Sequence, residues 1–230
     1  MTDTQQKFDA IVIGSGIGSL TAAALLAKCK NLKVLVLEQH YTVGGQTHAF
    51  HRKGKTEFDV GLHYIGNADH GEIRMIFDFI TDGKLKWHKM PYEFEKFSYP
   101  EIEFSVPSDK NEYLKRLIEK FPKEQFAIEQ YFNDIALAEK WYSAALMEDA
   151  YPFYIRPFFR FAFNRKCKIA NMTTEEYLNQ RFKDPVLKGL LVSQWGDYGT
   201  PPKESSFGMH ALVVAHFWRG GWYPVGGAKM

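Results

Sequence analysis

Glycines near the amino terminus have the spacing of a turn that binds the phosphate groups of a dinucleotide. Gly14, Ser15, Gly16 and Gly18 stand between an apolar run and a helix rich in small residues. The first glycine allows a tight turn, and the second lets the backbone approach a pyrophosphate. The helix then offers its free N–H groups and its positive end to that charge. Ser19 takes the third glycine position and is small enough for close packing of helix on strand.

An acidic residue, Glu38, ends the second apolar strand twenty positions after Gly18. A carboxylate there can accept hydrogen bonds from both hydroxyls of an adenosine ribose, and it would repel a 2′-phosphate. A glycine-rich turn in an ordinary α/β domain is the alternative. Because a buried strand, a turn, a helix, a strand and an acid follow in the order of a βαβ unit, residues 8–39 predict a dinucleotide site for an unphosphorylated adenosine ribose.

A glycine pair, Gly44 and Gly45, follows this unit and precedes Gln46. Paired glycines let the backbone pack under a large planar or phosphorylated ligand. A protein that binds NAD alone is expected to have a plain loop here, so the pair favours a larger ligand. Gly61 is a further glycine at which close approach is expected.

The candidate proton donors are an imidazole–phenol pair, His63 and Tyr64, and two later histidines, His210 and His216. A histidine that only completes the packed structure is the alternative for each. His210 and His216 are six positions apart, which is off one helical face, so we do not expect them to bind a metal jointly. The sequence has neither an HExxH pattern nor paired Cys/His spacing, and it predicts no metal site.

The rest of the chain predicts helices and short strands that would position these groups. Residues 85–106 alternate in polarity between prolines, which is typical of short strands or hairpins. Thr173 and Glu176 have the spacing of a capping box at the start of a helix. A glycine- and proline-rich loop is predicted over 193–202. Helical spacing covers 72–80, 111–120, 124–150 and 206–218, and Ile128, Phe132, Ile135 and Leu137 are predicted on recurring faces of the third helix.

Composition and charge exclude several classes of function. The 230 residues include 29 Lys and Arg against 27 Asp and Glu, and they form no basic cluster, so nucleic acid is not an expected partner. Cys29 and Cys167 are far apart and are expected to be reduced thiols. Neither a signal peptide nor a transmembrane run is visible. We therefore expect a location in the cytoplasm, or at a membrane on its cytosolic side.

Residues 151–166 interleave aromatic residues with arginines. One interpretation is a membrane-docking element, with aromatic side chains in the interface and arginines at the headgroups. Such an element would give a water-insoluble ligand access from lipid. The other interpretation is a helix in the core or along a substrate tunnel, and the sequence favours neither.

Taken together, these motifs resemble those of the flavin-dependent polyene oxidoreductases: the all-trans-retinol 13,14-reductases, the carotenoid isomerases and the phytoene desaturase-like proteins. The resemblance runs from end to end of the chain, and its later motifs favour the retinol-reductase branch. The segments that carry it are IVIGSGIGSLTAAALLAK (11–28), VLEQHYTVGGQTHAF (36–50), EFDVGLHYIG (57–66), QWGDYGTPPKESSF (194–207) and HFWRGGWYPVGG (216–227).

The resemblance implies an α/β fold, in which a Rossmann-type βαβ unit of the glutathione-reductase kind binds FAD and carries an inserted, mixed α+β substrate domain. We expect residues 1–70 to form the N-terminal part of the FAD-binding domain. Residues 71–218 would form part of a substrate or membrane-facing domain, and 219–230 would return to the flavin domain. Because members of the family are substantially longer, the chain is expected to be an N-terminal fragment.

The resemblance also assigns roles to residues. The turn of Gly14, Ser15, Gly16 and Gly18 would hold the FAD pyrophosphate, and Glu38, with Gln39, would contact the adenosine ribose. Gly44, Gly45 and Gln46 would line the flavin side, although many relatives have Arg at the position of Gln46. The segment Tyr223–Pro224 with Gly226 and Gly227 would bring the chain back to the flavin.

The activity implied is that of an FAD-dependent oxidoreductase acting on C=C bonds of a polyene or another isoprenoid lipid, such as retinol or a carotenoid. Saturation, desaturation and cis–trans isomerisation share one active-site plan, and NAD(P)H is a candidate electron donor. His63 and Tyr64 are the preferred proton donors because they follow Gly61 on the flavin side. The alternatives are a non-catalytic isoprenoid-binding escort protein of the GDP-dissociation-inhibitor type and an inactive fragment. The intact glycine turn with Glu38 argues against the escort protein, which has no flavin to bind.

Overall fold

The computed structural model describes residues 6–54, 56–148, 151–158, 161 and 168–228. The chain divides into two compact units, one formed by Met1–Met90 with Gly221–Met230 and the other by Pro91–Gly220. In chain order the strands and helices described are β1 (Ala10–Ile13), α1 (Ile17–Lys30), β2 (Val34–Leu37), β3 (Ala49–His51), β4 (Glu57–Asp59), α2 (Gly71–Ile80), β5 (Trp87–Lys89), β6 (Glu93–Tyr99), β7 (Ile102–Pro107), α3 (Lys110–Lys120), α4 (Gln125–Leu146), α5 (Thr174–Arg181), α6 (Pro185–Leu191), α7 (Trp195–Tyr198), α8 (Phe207–His216) and β8 (Trp222–Pro224).

The first unit begins with the βαβ arrangement that the sequence predicts. Strands β1 and β2 are parallel, and helix α1 connects them and packs against both. Asn31 ends α1 in the left-handed conformation, with φ at 53°, and its N–H donates to the carbonyl of Leu26. The reversal lets the chain enter β2 within a few residues.

The unbroken apolar sequence of strand β1 suggests burial on both faces, but the structure leaves one face exposed. Ile11 and Ile13 are 61% and 84% exposed, and Leu37, which pairs with Ile13, is also exposed. The expectation of a buried strand is therefore wrong for one face. Successive side chains of a strand point to opposite faces, so a helix packed on one face leaves every second side chain outside.

The first unit also contains short antiparallel strand pairs. Strand β3 pairs with β4, and β5 pairs with β8, which comes from the far end of the chain. Ile65 and Trp222 exchange backbone hydrogen bonds of 2.9 and 2.7 Å, which joins the segment after β4 to β8. Residues 221–230 thus return to the unit that contains the amino terminus.

The observed division differs from the predicted boundaries after residues 70 and 218. Residues 71–90 belong to the first unit, because α2 packs on α1 and β5 supplies the partner strand for β8. A strand pairing between residues 87 and 224 leaves no local signal in the sequence, since its two strands are far apart along the chain.

The second unit has a hairpin and a set of packed helices. Strands β6 and β7 form the hairpin, and their pairing is irregular between Glu93 and Glu95. The hairpin confirms the prediction of short strands or hairpins over 85–106. Asp109 caps the start of helix α3, and its side chain accepts from the backbone N–H groups of Asn111 and Glu112. Helices α4 and α8 pack against each other in this unit.

Helix α4 confirms the helical prediction over Gln125–Leu146, whereas residues 149–150 of the predicted range 124–150 lie outside the described residues. Its four predicted face residues do not all share one face. Ile128, Phe132 and Ile135 are buried, whereas Leu137 is 46% exposed. Leu137 lies nine positions after Ile128, which is two and a half turns of an α-helix. It therefore points away from the face that the other three residues share.

The predicted capping box is present, and the predicted loop contains a helical turn. The Thr173 side chain accepts from the N–H of Glu176, whose carboxylate accepts from the N–H of Thr173, and α5 begins there. The segment 193–202 is not loop throughout, because α7 forms within it and ends at Gly199, where φ is 72°. Among the described helices, none is both long and apolar enough to cross a bilayer.

Candidate dinucleotide site

The glycine turn leaves the first turn of α1 open to a ligand. Gly14 has φ at 90°, and its N–H donates to the carbonyl of Leu37 at 2.7 Å, which ties the end of β1 to the end of β2. Helix α1 begins after Gly16, and within the described part of the chain no side chain caps its first N–H groups. Because its first turn contains no acidic residue, this end of the helix attracts an anion.

Gly16 and Gly18 are not required by packing within the chain. A Cβ atom at either position would meet no described atom within 4 Å, and φ of Gly16 is an ordinary −64°. A ligand that touches the backbone would supply the reason for a glycine, as a pyrophosphate does in a dinucleotide turn. The residues present therefore fit the diphosphate of a dinucleotide such as FAD.

Ser15 is buried and joins three parts of the site. Its Oγ donates to Glu38 Oε2 at 2.5 Å, and its backbone N–H donates to the same oxygen at 2.8 Å. The same Oγ accepts from the N–H of Gly44 at 3.0 Å. Ser15 thus links the glycine turn, the acidic residue after β2 and the glycine pair.

Glu38 is held as an ionised carboxylate. Its Oε1 accepts from the N–H of His40 at 2.8 Å. The hydrogen bond from the Ser15 side chain, followed by those from the backbone of His40 and Ser15, lowers the pKa of Glu38 to about 2. An ionised carboxylate has about four lone-pair sites, so Glu38 can accept further hydrogen bonds from ribose hydroxyls. Gln39, which follows it, is exposed.

The glycine pair packs against the glycine turn. Gly44 and Gly45 have φ of 116° and 56°, and a Cβ atom on Gly45 would lie 3.0 Å from the Cα of Gly16. Both positions are therefore closed to larger residues by backbone geometry and by close contacts, since a Cβ atom on Gly44 would lie 3.3 Å from the backbone nitrogen of His48. Gln46 is exposed, and its Oε1 would lie 2.5 Å from a Cβ atom on Gly61. Gly61 is therefore approached closely by Gln46 of the same chain.

A cavity of about 470 Å³ opens beside the glycine pair, within the first unit. Ile17 and Leu20 from α1 form part of one wall, next to Gly44. His63 and Tyr64 also line it. The lining includes the aromatic residues Phe77, Trp87 and Trp222 and the further polar residues Thr42, Thr47, His48, His51 and Glu57.

Glycine makes room for one of the cavity residues. A Cβ atom on Gly221 would lie 2.7 Å from Cδ2 of Tyr64, so a larger residue there would displace the Tyr64 ring. His63 is exposed and Tyr64 is half-buried. The cavity thus contains a half-buried tyrosine next in the chain to an imidazole that solvent reaches.

The return segment is fastened to β4. The Tyr223 hydroxyl donates to Asp59 Oδ2 at 2.7 Å, and burial together with this hydrogen bond raises the pKa of Tyr223. Pro224 and Ala228 line the cavity, but Gly226 and Gly227 do not. Both of these glycines have positive φ, at 98° and 94°, and so form the turn that follows β8.

The later histidines lie in the second unit. His210 is wholly buried, with Nε2 2.8 Å from the Tyr131 hydroxyl and Nδ1 3.3 Å from that of Tyr198. Burial lowers the pKa of His210 to about 3, so the imidazole is neutral and links two tyrosines of the core. Burial also lowers the pKa of His216. Among the residues that the structure describes, no group of His, Cys, Asp and Glu side chains is arranged to hold a metal ion.

Several cavity residues were missed by sequence reasoning. Ile17 and Leu20 belong to a helix whose apolar residues predict only packing. Trp87 and Trp222 both line the cavity because β5 pairs with β8, and no local sequence pattern predicts that pairing. Their size and aromatic character were the available signal, and the same character is common in cores.

Comparison with known proteins finds relatives that match nearly the whole chain. A family model described as an NAD(P)-binding Rossmann-like domain matches residues 12–80. All-trans-retinol 13,14-reductase of Rattus norvegicus is 38% identical over 97% of the chain, and that of Homo sapiens is 36% identical over the same share. A prolycopene isomerase of Daucus carota is 35% identical over 56% of the chain. The chain spans 38% of the length of the two reductases.

An inactive all-trans-retinol 13,14-reductase of Danio rerio is also similar, at 30% identity over 99% of the chain. Among solved structures, putrescine oxidase bound to putrescine matches 97% of the chain and 47% of its own, with a TM-score of 0.60 and 17% identity. An oxidoreductase from Methanosarcina mazei matches 96% of the chain and 46% of its own, with a TM-score of 0.55 and 16% identity. At these identities the structural matches establish the fold.

Proposed function

We propose that the chain forms part of an FAD-dependent oxidoreductase acting on C=C bonds of a polyene or another isoprenoid lipid. The chain is similar to all-trans-retinol 13,14-reductases along nearly its whole length. The observation that carries the proposal is the junction of an uncapped helix N-terminus, an ionised Glu38 and a glycine pair beside an aromatic-lined cavity. Each of these features matches one part of FAD.

The diphosphate of FAD would lie on the turn of Gly14, Ser15, Gly16 and Gly18. Support comes from the open space above Gly16 and Gly18 and from the uncapped N–H groups of α1. The adenosine ribose would bind Glu38, with Gln39 beside it. Support for this comes from the low pKa of Glu38, which keeps the carboxylate an acceptor at every physiological pH.

The flavin end and the lipid would share the cavity. Gly44, Gly45 and Gln46 would border the flavin, and the turn at Gly226 and Gly227 would approach it from the return segment. Aromatic walls such as Trp87 suit a flat, apolar polyene and exclude water.

When bound, FAD supplies the exchange of a hydride with one carbon of a double bond. The chain must then hold or move a proton at the neighbouring carbon, and His63 and Tyr64 are the candidates because both line the cavity. A substrate that gains the hydride and the proton has its double bond saturated, and a substrate that loses both acquires a double bond. NAD(P)H is the proposed electron donor for saturation.

The test uses the full-length protein. A visible spectrum after purification should show bound flavin, and anaerobic incubation with retinol or lycopene, followed by chromatography, should show a saturated, desaturated or isomerised product. A protein that binds retinol without flavin bands would instead be a lipid carrier. A flavin-free protein that binds no lipid would contradict the proposal altogether.

A further inference from the structure

Two imidazole rings lie together beside the glycine pair. The ring centroids of His40 and His48 are 5.1 Å apart, and the planes of the rings meet at 43°. His40 is exposed and His48 is half-buried. Histidine is the side chain whose charge ordinarily changes between pH 5 and 8. These two rings, which we call the imidazole pair, can therefore add positive charge to this part of the proposed FAD site.

His48 is close to the glycine turn. Its Nδ1 lies 2.5 Å from the carbonyl oxygen of Gly45, and a Cβ atom on Gly45 would lie 3.0 Å from the Cα of Gly16. His48 also lines the cavity of the first unit together with Gly44 and Ile17, the first residue of α1. The imidazole thus shares a cavity with the helix end on which the diphosphate of FAD would lie.

Hydrogen bonding decides which nitrogen of His48 changes with protonation. Because a carbonyl oxygen only accepts, Nδ1 carries a hydrogen and donates it to Gly45. Nε2 is then an acceptor in the neutral ring and a donor in the imidazolium. A phosphate oxygen repels an acceptor and attracts a charged donor, so a phosphate beside this ring favours the imidazolium.

His40 has a partner for either charge state. The N–H of Thr42 donates to Nδ1 of His40 at 3.3 Å, and the carbonyl oxygen of Thr42 lies 3.2 Å from the same nitrogen. A neutral ring accepts from the N–H, and a protonated Nδ1 donates to the carbonyl. Two protonated rings so close together repel each other, which disfavours the second proton in the apoprotein. An anion beside the imidazole pair reverses this preference.

The other charged groups nearby do not replace the imidazole pair. Glu38, which accepts from the backbone N–H of His40, is already ionised near neutral pH because its pKa is lowered to about 2. The first turn of α1 contains no acidic residue. Asp59 on β4 accepts from the hydroxyl of Tyr223. The remaining titratable residues that lie against the pair or line the cavity are Tyr41, His51, Glu57, His63 and Tyr64.

We propose that His48 binds the diphosphate of FAD as an imidazolium, so that FAD binds together with a proton. The inference rests on the proposed function, because it concerns the same FAD site. The diphosphate diester of FAD neither gains nor loses a proton near neutral pH, so the proton passes from solvent to Nε2 of His48. His40 would position the ring of His48. Since the complex holds more protons than its separate partners, the affinity for FAD falls as the pH rises.

Calorimetric titration of FAD into the full-length apoprotein tests the inference. At pH 7, in buffers of different ionisation enthalpy, the heat of binding should depend on the buffer and indicate the uptake of about one proton or less per FAD. The affinity, measured by the quenching of flavin fluorescence, should fall by about tenfold between pH 6 and pH 8.5.

Two variants of His48 remove the charge in different ways. In His48→Asn the side-chain amide can still donate to the carbonyl of Gly45, and in His48→Gln the amide offers a neutral donor near the place of Nε2. Both variants should lose the buffer dependence of the heat and most of the pH dependence of the affinity. His88→Gln is the matched control, because His88 is an exposed histidine of β5 in the same unit and is not one of the residues that line the cavity.

Circular dichroism checks that each variant is folded, and the measurement on the unchanged protein needs no variant. FAD binding with the same heat in every buffer would overturn the inference and leave the proposed function intact. Proton uptake that persists in both His48 variants and disappears in His51→Gln or His63→Gln would also overturn it, by assigning the proton to another histidine. An apoprotein that binds no FAD at any pH would overturn the inference and the proposed function together.

Discussion

The Oγ of Ser15 and the carboxylate of Glu38 are hydrogen-bonded although 23 positions separate the two residues. The bond joins the glycine turn before α1, where we propose that phosphate binds, to the residue after β2 that would hold the ribose. Because Ser15 also accepts from Gly44, the same hydroxyl sets the position of the glycine pair. A single buried side chain therefore fixes the distance between three parts of the proposed FAD site.

Replacement of Ser15 should weaken cofactor binding. Ser15→Ala removes the hydroxyl, so the carboxylate of Glu38 and the N–H of Gly44 each lose a partner. We expect the affinity for FAD to fall by about tenfold, measured by the quenching of flavin fluorescence on titration into the apoprotein. Ser19→Ala is the control, because it removes a neighbouring hydroxyl from the same helix end. Equal losses in the two variants would refute the linking role of Ser15.

Acid should destabilise the protein partly through Glu38. Its pKa is lowered from 4.5 to about 2 in the folded state, so between these values the unfolded chain binds more protons. The stabilisation is complete above about pH 5 and is lost as the pH falls through about 2. Glu38→Gln should therefore reduce the difference in unfolding temperature between pH 7 and pH 3. Glu101→Gln, at the turn between β6 and β7, is the control and should show the same difference in unfolding temperature between pH 7 and pH 3 as the unchanged protein.

Two glycines of the site should respond differently to alanine. Gly45→Ala places a Cβ atom 3.0 Å from the Cα of Gly16 at a residue with φ of 56°, and we expect a loss of stability of about 1–2 kcal/mol. In Gly16→Ala the new Cβ atom has no described atom within 4 Å, so the free energy of unfolding should fall by less than about 1 kcal/mol. The affinity for FAD should nevertheless fall strongly. Urea unfolding of the apoprotein and flavin titration separate the two effects. Retention of full FAD affinity by Gly16→Ala would show that no pyrophosphate lies there.

The return segment should depend on the hydroxyl of Tyr223. Tyr223→Phe removes the 2.7 Å hydrogen bond to Asp59, and we expect a loss of about 1 kcal/mol in the free energy of unfolding. Tyr41→Phe, at a residue that is 87% exposed, is the matched control and should have no measurable effect. Urea unfolding followed by tryptophan fluorescence measures both, since Trp222 precedes Tyr223. An unchanged free energy of unfolding in Tyr223→Phe would mean that strand pairing alone holds the return segment.

Local sequence was sufficient for the βαβ unit and for the helix starts. A glycine turn after an apolar run determines its own backbone, because Gly14 adopts a conformation that other residues resist. The capping box at Thr173 likewise depends on residues three positions apart. Such features depend on neighbours in the chain, and a pattern of neighbours is what a sequence displays.

Only the tertiary structure decided which of these residues meet. The sequence determined a dinucleotide turn, an acid after β2 and a glycine pair, but the Ser15 hydroxyl that links them forms its bonds across 23 and 29 positions. The same holds for the pairing of β5 with β8, which brings Trp87 and Trp222 to one cavity, and for the exposure of Ile13 on an apolar strand. Propensity acts between neighbours, whereas burial and long-range hydrogen bonds depend on which segments the folded chain brings into contact.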